Sequence, residues 1–203
     1  MSVERLLIDQ KDITKARLDR CDAPELSEGE VRLKIDHFAM TANNVTYALA
    51  GFDLGYWSFF PSGLPGEGLL PVWGVAEAVE SKSDAVPVGT RLYGFFPLAS
   101  EVVIQPSAVK GGIVDRAEHR AELPAVYNRY QVVGQANPHK DHQRALLQPL
   151  LATSYLLCDW LADNAFFGAE QIIVGSASSK TGLGLCKYLA ELEKRNFRLI
   201  GLT

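Results

Sequence analysis

Residues 170–203, EQIIVGSASSKTGLGLCKYLAELEKRNFRLIGLT, constrain the fold more than any other stretch of the chain. A short apolar strand at 172–174 runs into a Gly/Ser turn. A helix follows over 183–193, with Leu183, Leu185, Leu189 and Leu192 at near-helical spacing, and then a second apolar strand at 197–202. Strand, turn, helix and strand in this order predict one βαβ unit, the building block of a parallel sheet. Such a sheet needs both faces covered, which two strands and one crossover cannot supply. The expectation is a natural protein that continues past Thr203, or a truncated product.

The turn carries the strongest chemical signal. At a strand-to-helix junction, free backbone N–H groups and the helix dipole attract a phosphate. Ser176, Ala177, Ser178, Ser179, Lys180, Thr181 and Gly182 are the candidate cofactor-binding residues. Read as the AxxGxxG form of a dinucleotide-binding turn, Gly182 fits the last glycine, where it would let helix and strand pack closely. Ser176 and Ser179 stand where alanine and the middle glycine are expected. Read as the P-loop GxxxxGK[ST], Lys180-Thr181 fits, but Ser179 replaces a glycine and Gly175 is one residue too close. A third reading is a turn with an N-cap serine and no ligand. Lys180 either adds positive charge near a phosphate or points to solvent.

The first 130 or so residues have a different texture. VRLKIDHFAM alternates like a half-buried strand, and LLPVWGVAEAVES, SDAVPVGTRLYGFF and EVVIQP supply further strands with turn signals between them. Several short strands of this kind suggest a barrel or sandwich. FDLGYWSFFPSGLPGEG, at 52–68, reads as a large aromatic loop that shapes a pocket or covers the end of the barrel. Residues 141–164 are apolar-striped and helical, with Pro149 predicting a kink or a break between two helices. The predicted domains are 1–138 and 139–203.

The charge balance excludes some partners. A net charge of −4 with scattered Lys and Arg leaves no basic footprint for nucleic acid or membrane. No stretch is read as approaching the roughly 20 apolar residues of a membrane span. The N-terminus has no secretion-signal pattern. Cys21, Cys158 and Cys186 are too dispersed for a disulfide framework or a CxxC metal site. The expected compartment is the cytoplasm.

PELSEGEVRLKIDHFAMTANNVTYALAG, VWGVAEAVESKSDAVPVGTRLYGF and LLQPLLATSYLLCDWLADNAFFGAEQIIVGSASSKTG resemble, in this order, the quinone oxidoreductases of the medium-chain dehydrogenase/reductase group. TANNVTYALAG, YWSFFP and VGSASSKTG resemble more closely an uncharacterised branch, DUF2855. The resemblance implies an α/β fold in which a GroES-like β-rich N-terminal domain is followed by the beginning of a Rossmann domain, a doubly wound parallel sheet. It implies NADPH as hydride donor, a small-molecule carbonyl, quinone or enone as acceptor, and a homodimer in the uninterrupted protein. Zinc-dependent relatives place a cysteine after the first long strand and a His-Glu pair before the Gly-Val-Val stretch. Here HFAMTANN and LLPVWGVAEAV carry neither, so the resemblance implies zinc-free chemistry, and His37 reads as a strand histidine with a local hydrogen bond.

Hydride transfer asks the protein for orientation and for a donor to a developing oxyanion. The resemblance places Asn43, Asn44 and Tyr47 as catalytic candidates, with Asn44 alternatively a helix cap and Tyr47 alternatively core. It places Thr153 at the nicotinamide site and keeps Tyr127 and Tyr130 as further candidates. The second strand of the βαβ unit ends Gly201-Leu202-Thr203 without an acid, which leans towards NADP. The rival readings are a catalytically silent cofactor-binding or interaction protein on the same scaffold, and a P-loop-type nucleotide binder.

Overall fold

Alternating apolar residues make the first part of the chain fold as antiparallel sheet. The computed structural model describes residues 2–193 and 195–203 and divides into two compact units, Met1–Ala145 and Leu146–Thr203. In the first unit, β1 (Ser2–Asp9) and β2 (Ala16–Asp22) pair antiparallel, and β4 (Glu67–Leu69) adds to the other side of β1. The Asp9 carboxylate accepts from the backbone N–H groups of Lys11 and Asp12 and closes the β1–β2 turn.

The larger sheet is built from β3 (Val31–Ala39), β5 (Pro71–Ser81), β6 (Arg91–Pro97), β7 (Glu101–Ile104), β8 (Pro106–Val109), β9 (Gly112–Asp115) and β10 (Arg129–Val133). Its order is β7-β3-β5-β6-β10-β9-β8, antiparallel throughout. Val31, Leu33, Val72, Ala76, Leu92, Phe96, Ile104 and Tyr130 fill its main core. A helix, α1 (Ala42–Leu49), connects β3 to the aromatic segment.

The aromatic segment packs four of its rings inward. It contains one short 3-10 turn, Tyr56–Ser58, and Tyr56, Trp57, Phe59 and Phe60 are all buried beside Tyr47, Leu69 and Phe95. Trp57 is wedged between Gly51 and Gly68, and a Cβ at either glycine would run into the indole. Close packing of this kind admits no extra methyl group.

In the second unit, β11 (Gln171–Val174) pairs in parallel with β12 (Arg198–Gly201), and α3 (Lys180–Glu191) is the crossover between them. Val174, Leu185, Leu189 and Phe197 pack with Cys158 and Leu161 of the long helix α2 (Pro138–Asp163). The βαβ reading holds, with the helix starting three residues earlier than the leucine spacing indicates. Leu185 and Leu189 are buried while Leu183 is exposed, and the first turn is capped by Ser179.

Two sequence expectations concern α2. It continues across Pro149 as one helix, so of the kink or break expected there the break is not made. Proline removes one i→i−4 bond, here to the carbonyl of Ala145, and the packed turns on either side keep the rest of the ladder. Among the described residues, α2 is also the one helix long and apolar enough, by length and composition, to cross a membrane. Cys158 and Leu161 pack into the core of the second unit.

Candidate functional site

The turn after β11 is shaped by its own backbone. Ser176 adopts a left-handed conformation, φ +50°, which a residue with a Cβ rarely takes outside a constrained turn. Ala177 N donates to Leu202 O at 2.8 Å and Ser179 N to Ser176 O at 2.9 Å. Ser179 is the N-cap of α3, and its Oγ accepts from Gly182 N at 3.0 Å. The serine at the middle-glycine position therefore has a structural task, satisfying one of the helix's orphan donors.

Lys180 and Thr181 follow in the first turn, where backbone N–H groups have no intrahelical partner. Ser178, Ser179 and Lys180 are exposed, while Thr181 is half-buried. A Cβ on Gly182 would lie 2.5 Å from Ser176 O. The glycine lets the turn fold back onto the helix, and the close approach is between helix and turn rather than the helix–strand packing expected of it. An exposed turn with a cationic side chain beside a helix N-terminus fits an anionic diphosphate.

The rest of this unit's candidate set is less concentrated. Thr153 is exposed on α2, and its Oγ1 donates to Pro149 O at 3.0 Å. Ser154, next to it, is fully buried and donates to Leu150 O and to Thr181 O, the latter at 2.8 Å. That bond ties α2 directly to the first turn of α3. Gly184 makes the approach feasible, since a Cβ there would lie 2.7 Å from both Ser154 Oγ and Leu151 Cδ2.

Asn43, Asn44 and Tyr47 belong to the first unit, on α1. Thr41, not Asn44, is the N-cap. Asn44 reciprocates, its Oδ1 accepting from Thr41 N at 2.7 Å while its Nδ2 donates to Pro71 O at 2.9 Å. Asn44 is buried and committed at both ends of its amide. Asn43 is half-buried, and its side-chain amide makes no hydrogen bond among the described residues. Tyr47 is buried but retains polar capacity. Its hydroxyl accepts from Trp73 Nε1 at 3.3 Å, which leaves its own proton free to donate. Burial pushes the Tyr47 hydroxyl above the ordinary tyrosine value, against the Trp73 hydrogen bond that lowers it, so the group stays protonated.

Around Tyr47 stands a basin of rings. Tyr56 lies 4.5 Å from it between centroids and Phe95 5.6 Å. The Tyr56 and Tyr127 hydroxyls are 2.9 Å apart. Tyr130 is fully buried, donates to Phe95 O at 3.0 Å, and is pushed up to about 12 by burial. Trp73 and Tyr93 were absent from the sequence candidates, yet they stack at 5.7 Å. The Tyr93 hydroxyl is buried without a hydrogen-bond partner. The available signal was strand period, since Trp73 on β5 and Tyr93 on β6 each share a face with a core residue two positions on, Val75 and Phe95.

Close by, Arg91 Nη2 donates to Asp141 Oδ2 at 3.0 Å and its Nη1 to Gly134 O at 3.1 Å. His37 and His142 face each other at 4.8 Å, and His37 Nδ1 is buried without a partner, so the local hydrogen bond expected of it is not made at that atom. Among the described residues no three His, Cys, Asp or Glu side chains are grouped to hold a metal.

No curated protein matches the sequence. Residues 38–203 match the family model described as "Protein of unknown function (DUF2855)". Solved structures resemble the fold. A human synaptic vesicle membrane protein VAT-1 homolog-like protein aligns with TM-score 0.55 at 15% identity, over 99% of this chain and 56% of its own. A Bacillus thuringiensis protein provisionally named an NADPH:quinone reductase gives 0.56 at 13%, over 99% and 52%. The mitochondrial 2-enoyl thioester reductase Etr1p/Etr2p heterodimer of Candida tropicalis gives 0.57 at 13%, over 99% and 54%. The chain thus spans about half the length of these proteins. The fold is the α/β arrangement of a GroES-like β-rich unit followed by the strand–turn–helix–strand start of a Rossmann domain.

Proposed function

The chain belongs to the DUF2855 family, and from that premise we propose that it serves a zinc-independent, NADPH-dependent oxidoreductase acting on a carbonyl, quinone or enone-type small molecule. The observation that carries the reading is the turn from Ser176 to Gly182, closed onto α3 by Gly182 and exposing Ser178 and Lys180 at the helix N-terminus. NADPH, when bound, supplies the hydride. Lys180 and the first-turn N–H groups would hold its diphosphate, and Thr153 is the candidate beside the nicotinamide. On α1, Tyr47 is the proton donor of choice, because Trp73 occupies its oxygen as a donor and leaves the phenolic proton available. Asn43, with an uncommitted amide, is the candidate for orienting the acceptor. Asn44 is assigned to holding α1 in place, since both ends of its amide are occupied.

A specific observation favours the silent-scaffold alternative. Ser179 already satisfies Gly182 N, so the turn is complete without a ligand. An NADPH titration of the chain, followed by nicotinamide fluorescence with NADH in parallel, separates the two. Saturable binding that prefers NADPH and weakens roughly three- to tenfold in Lys180→Ala supports the reductase reading. Absence of binding by either nucleotide overturns it and leaves the interaction-protein reading.

A further inference from the structure

In the second unit, Ser154, Cys158 and Leu161 turn one side of α2 inward. Leu156 and Trp160, four residues apart on the opposite side, are 63% and 53% exposed. Phe167 joins them, 64% exposed and 5.1 Å from Trp160 between ring centroids. The turn that delivers Phe167 is strained. Ala165, Phe166 and Phe167 stand in succession at φ +48°, +52° and +52°, with Gly168 after them at +73°. Residues with a Cβ visit this region singly rather than in runs, because the Cβ crowds the following carbonyl oxygen. The run sends Phe166 inward, 4.6 Å from Phe197, and lays Phe167 against Trp160 at the surface. Strain held in place by surrounding packing clusters at ligand clamps and switch regions.

The charges bordering this patch decide what can cover it. From Ala145 to Ser179 the charged side chains are Asp159, Asp163 and Glu170, with no Lys, Arg or His among them. Asp159 and Asp163 are exposed and lie three residues on from Leu156 and Trp160, in the neighbouring row of the helix surface. Neither carboxylate makes an ion pair among the described residues. Whatever covers Leu156 and Trp160 therefore also meets two acids that lack a cation. A second copy of the same face would set Asp159 and Asp163 against their own equivalents, and an anionic lipid surface would be repelled in the same way. A helix with Lys or Arg beside an apolar stripe matches both the patch and its border.

We propose that this face of the second unit is a docking site for a cationic amphipathic helix of a partner protein, its apolar stripe on Leu156, Trp160 and Phe167 and its Lys or Arg side chains against Asp159 and Asp163. The docking needs no nucleotide, so it stands or falls independently of the reductase reading.

The test titrates the 203-residue chain, with no nucleotide present, with an amphipathic helical peptide of Leu and Lys, followed by calorimetry and by amide chemical shifts. A peptide of the same pattern with Glu in place of Lys is the control. Saturable one-to-one binding of the Lys peptide, with shifts centred on residues 155–169 and the Glu peptide at least roughly tenfold weaker, is the expected result. Trp160→Ser combined with Phe167→Ser should weaken the Lys peptide roughly tenfold or more, since exposed aromatics anchor such contacts. Asp159→Lys combined with Asp163→Lys should reverse the order of the two peptides, a result readable even if the aromatic variant fails to fold. No saturation by the Lys peptide, equal affinity for both peptides, or shifts centred elsewhere would each overturn the proposal. Dimerisation of the chain that Trp160→Ser abolishes, or adsorption to phosphatidylserine vesicles through the same residues, would reveal a different occupant and overturn it as well.

Discussion

Arg91 on β6 reaches Asp141 in the first turn of α2, Nη2 to Oδ2 at 3.0 Å, with both side chains buried. Burial pushes the Asp141 carboxyl up, but the Arg91 hydrogen bond and charge, the Asn137 N–H and the nearby His37 outweigh it, and the net shift is downward. A carboxylate held below its unfolded value stabilises the folded state above the unfolded pKa, near 4 for Asp, and loses that contribution as pH falls through the folded value. Asp141→Asn leaves Arg91 with only Asp36, at 3.4 Å, as a charge partner. It should destabilise the first unit by about 2–4 kcal/mol at neutral pH, and the difference from the parent chain should shrink below pH 4. Urea melts at pH 7 and pH 3 check both.

Gly184→Ala should run against the usual helix rule. In an exposed helix interior this change stabilises by up to about 1 kcal/mol. Here the new methyl would meet the buried Ser154 hydroxyl at 2.7 Å, itself bonded to Thr181 O. The expected result is destabilisation by about 1–3 kcal/mol, measured by thermal or denaturant unfolding of the second unit.

Ser179 separates the structural from the binding role of the turn. Ser179→Ala removes the N-cap acceptor of Gly182 N and should destabilise α3 by about 1 kcal/mol, whereas Ser179→Gly should lose only a few tenths. If the turn holds a diphosphate, Ser179→Gly keeps or improves NADPH affinity, because a smaller residue admits closer approach. Circular dichroism melts and the nicotinamide titration give the two readouts.

Tyr47→Phe deletes one hydroxyl whose partner is Trp73 Nε1. Stability should fall by about 0.5–1.5 kcal/mol. In the proposed reductase, the rate of NADPH oxidation should fall by about 10²-fold or more, with KM for the acceptor little changed. Since burial raises the Tyr47 pKa, the parent enzyme's rate should show no loss assignable to this group until pH exceeds the ordinary tyrosine value of about 10.

Where the physics is local, the sequence announced it. The βαβ unit could be read from the apolar runs flanking GSASSKTG, and β3, β5 and β6 from alternation, because each pattern matches the period of its own element. The β1–β2 hairpin was harder to see. Charged residues such as Arg17, Asp19 and Arg20 sit along β2, and their ion pairs with Glu67, Arg5 and Glu4 form only after strand pairing. Asn44 looked like either a cap or a catalytic amide, and the deciding partner, Pro71 O, is 27 residues away. Tyr56 likewise meets Tyr127 only across 71 residues. The left-handed run from Ala165 to Gly168 has no sequence signature, since Gly168 alone among its residues favours that backbone region.

The indole held between Gly51 and Gly68 binds three distant positions into one hereditary trait. While Trp57 remains, neither glycine can gain a side chain, and if Trp57 shrinks, both positions are released together. Positions 51, 57 and 68 should therefore drift as a single unit among descendants of this chain, with an intermediate of any one change alone carrying either a clash or a hole.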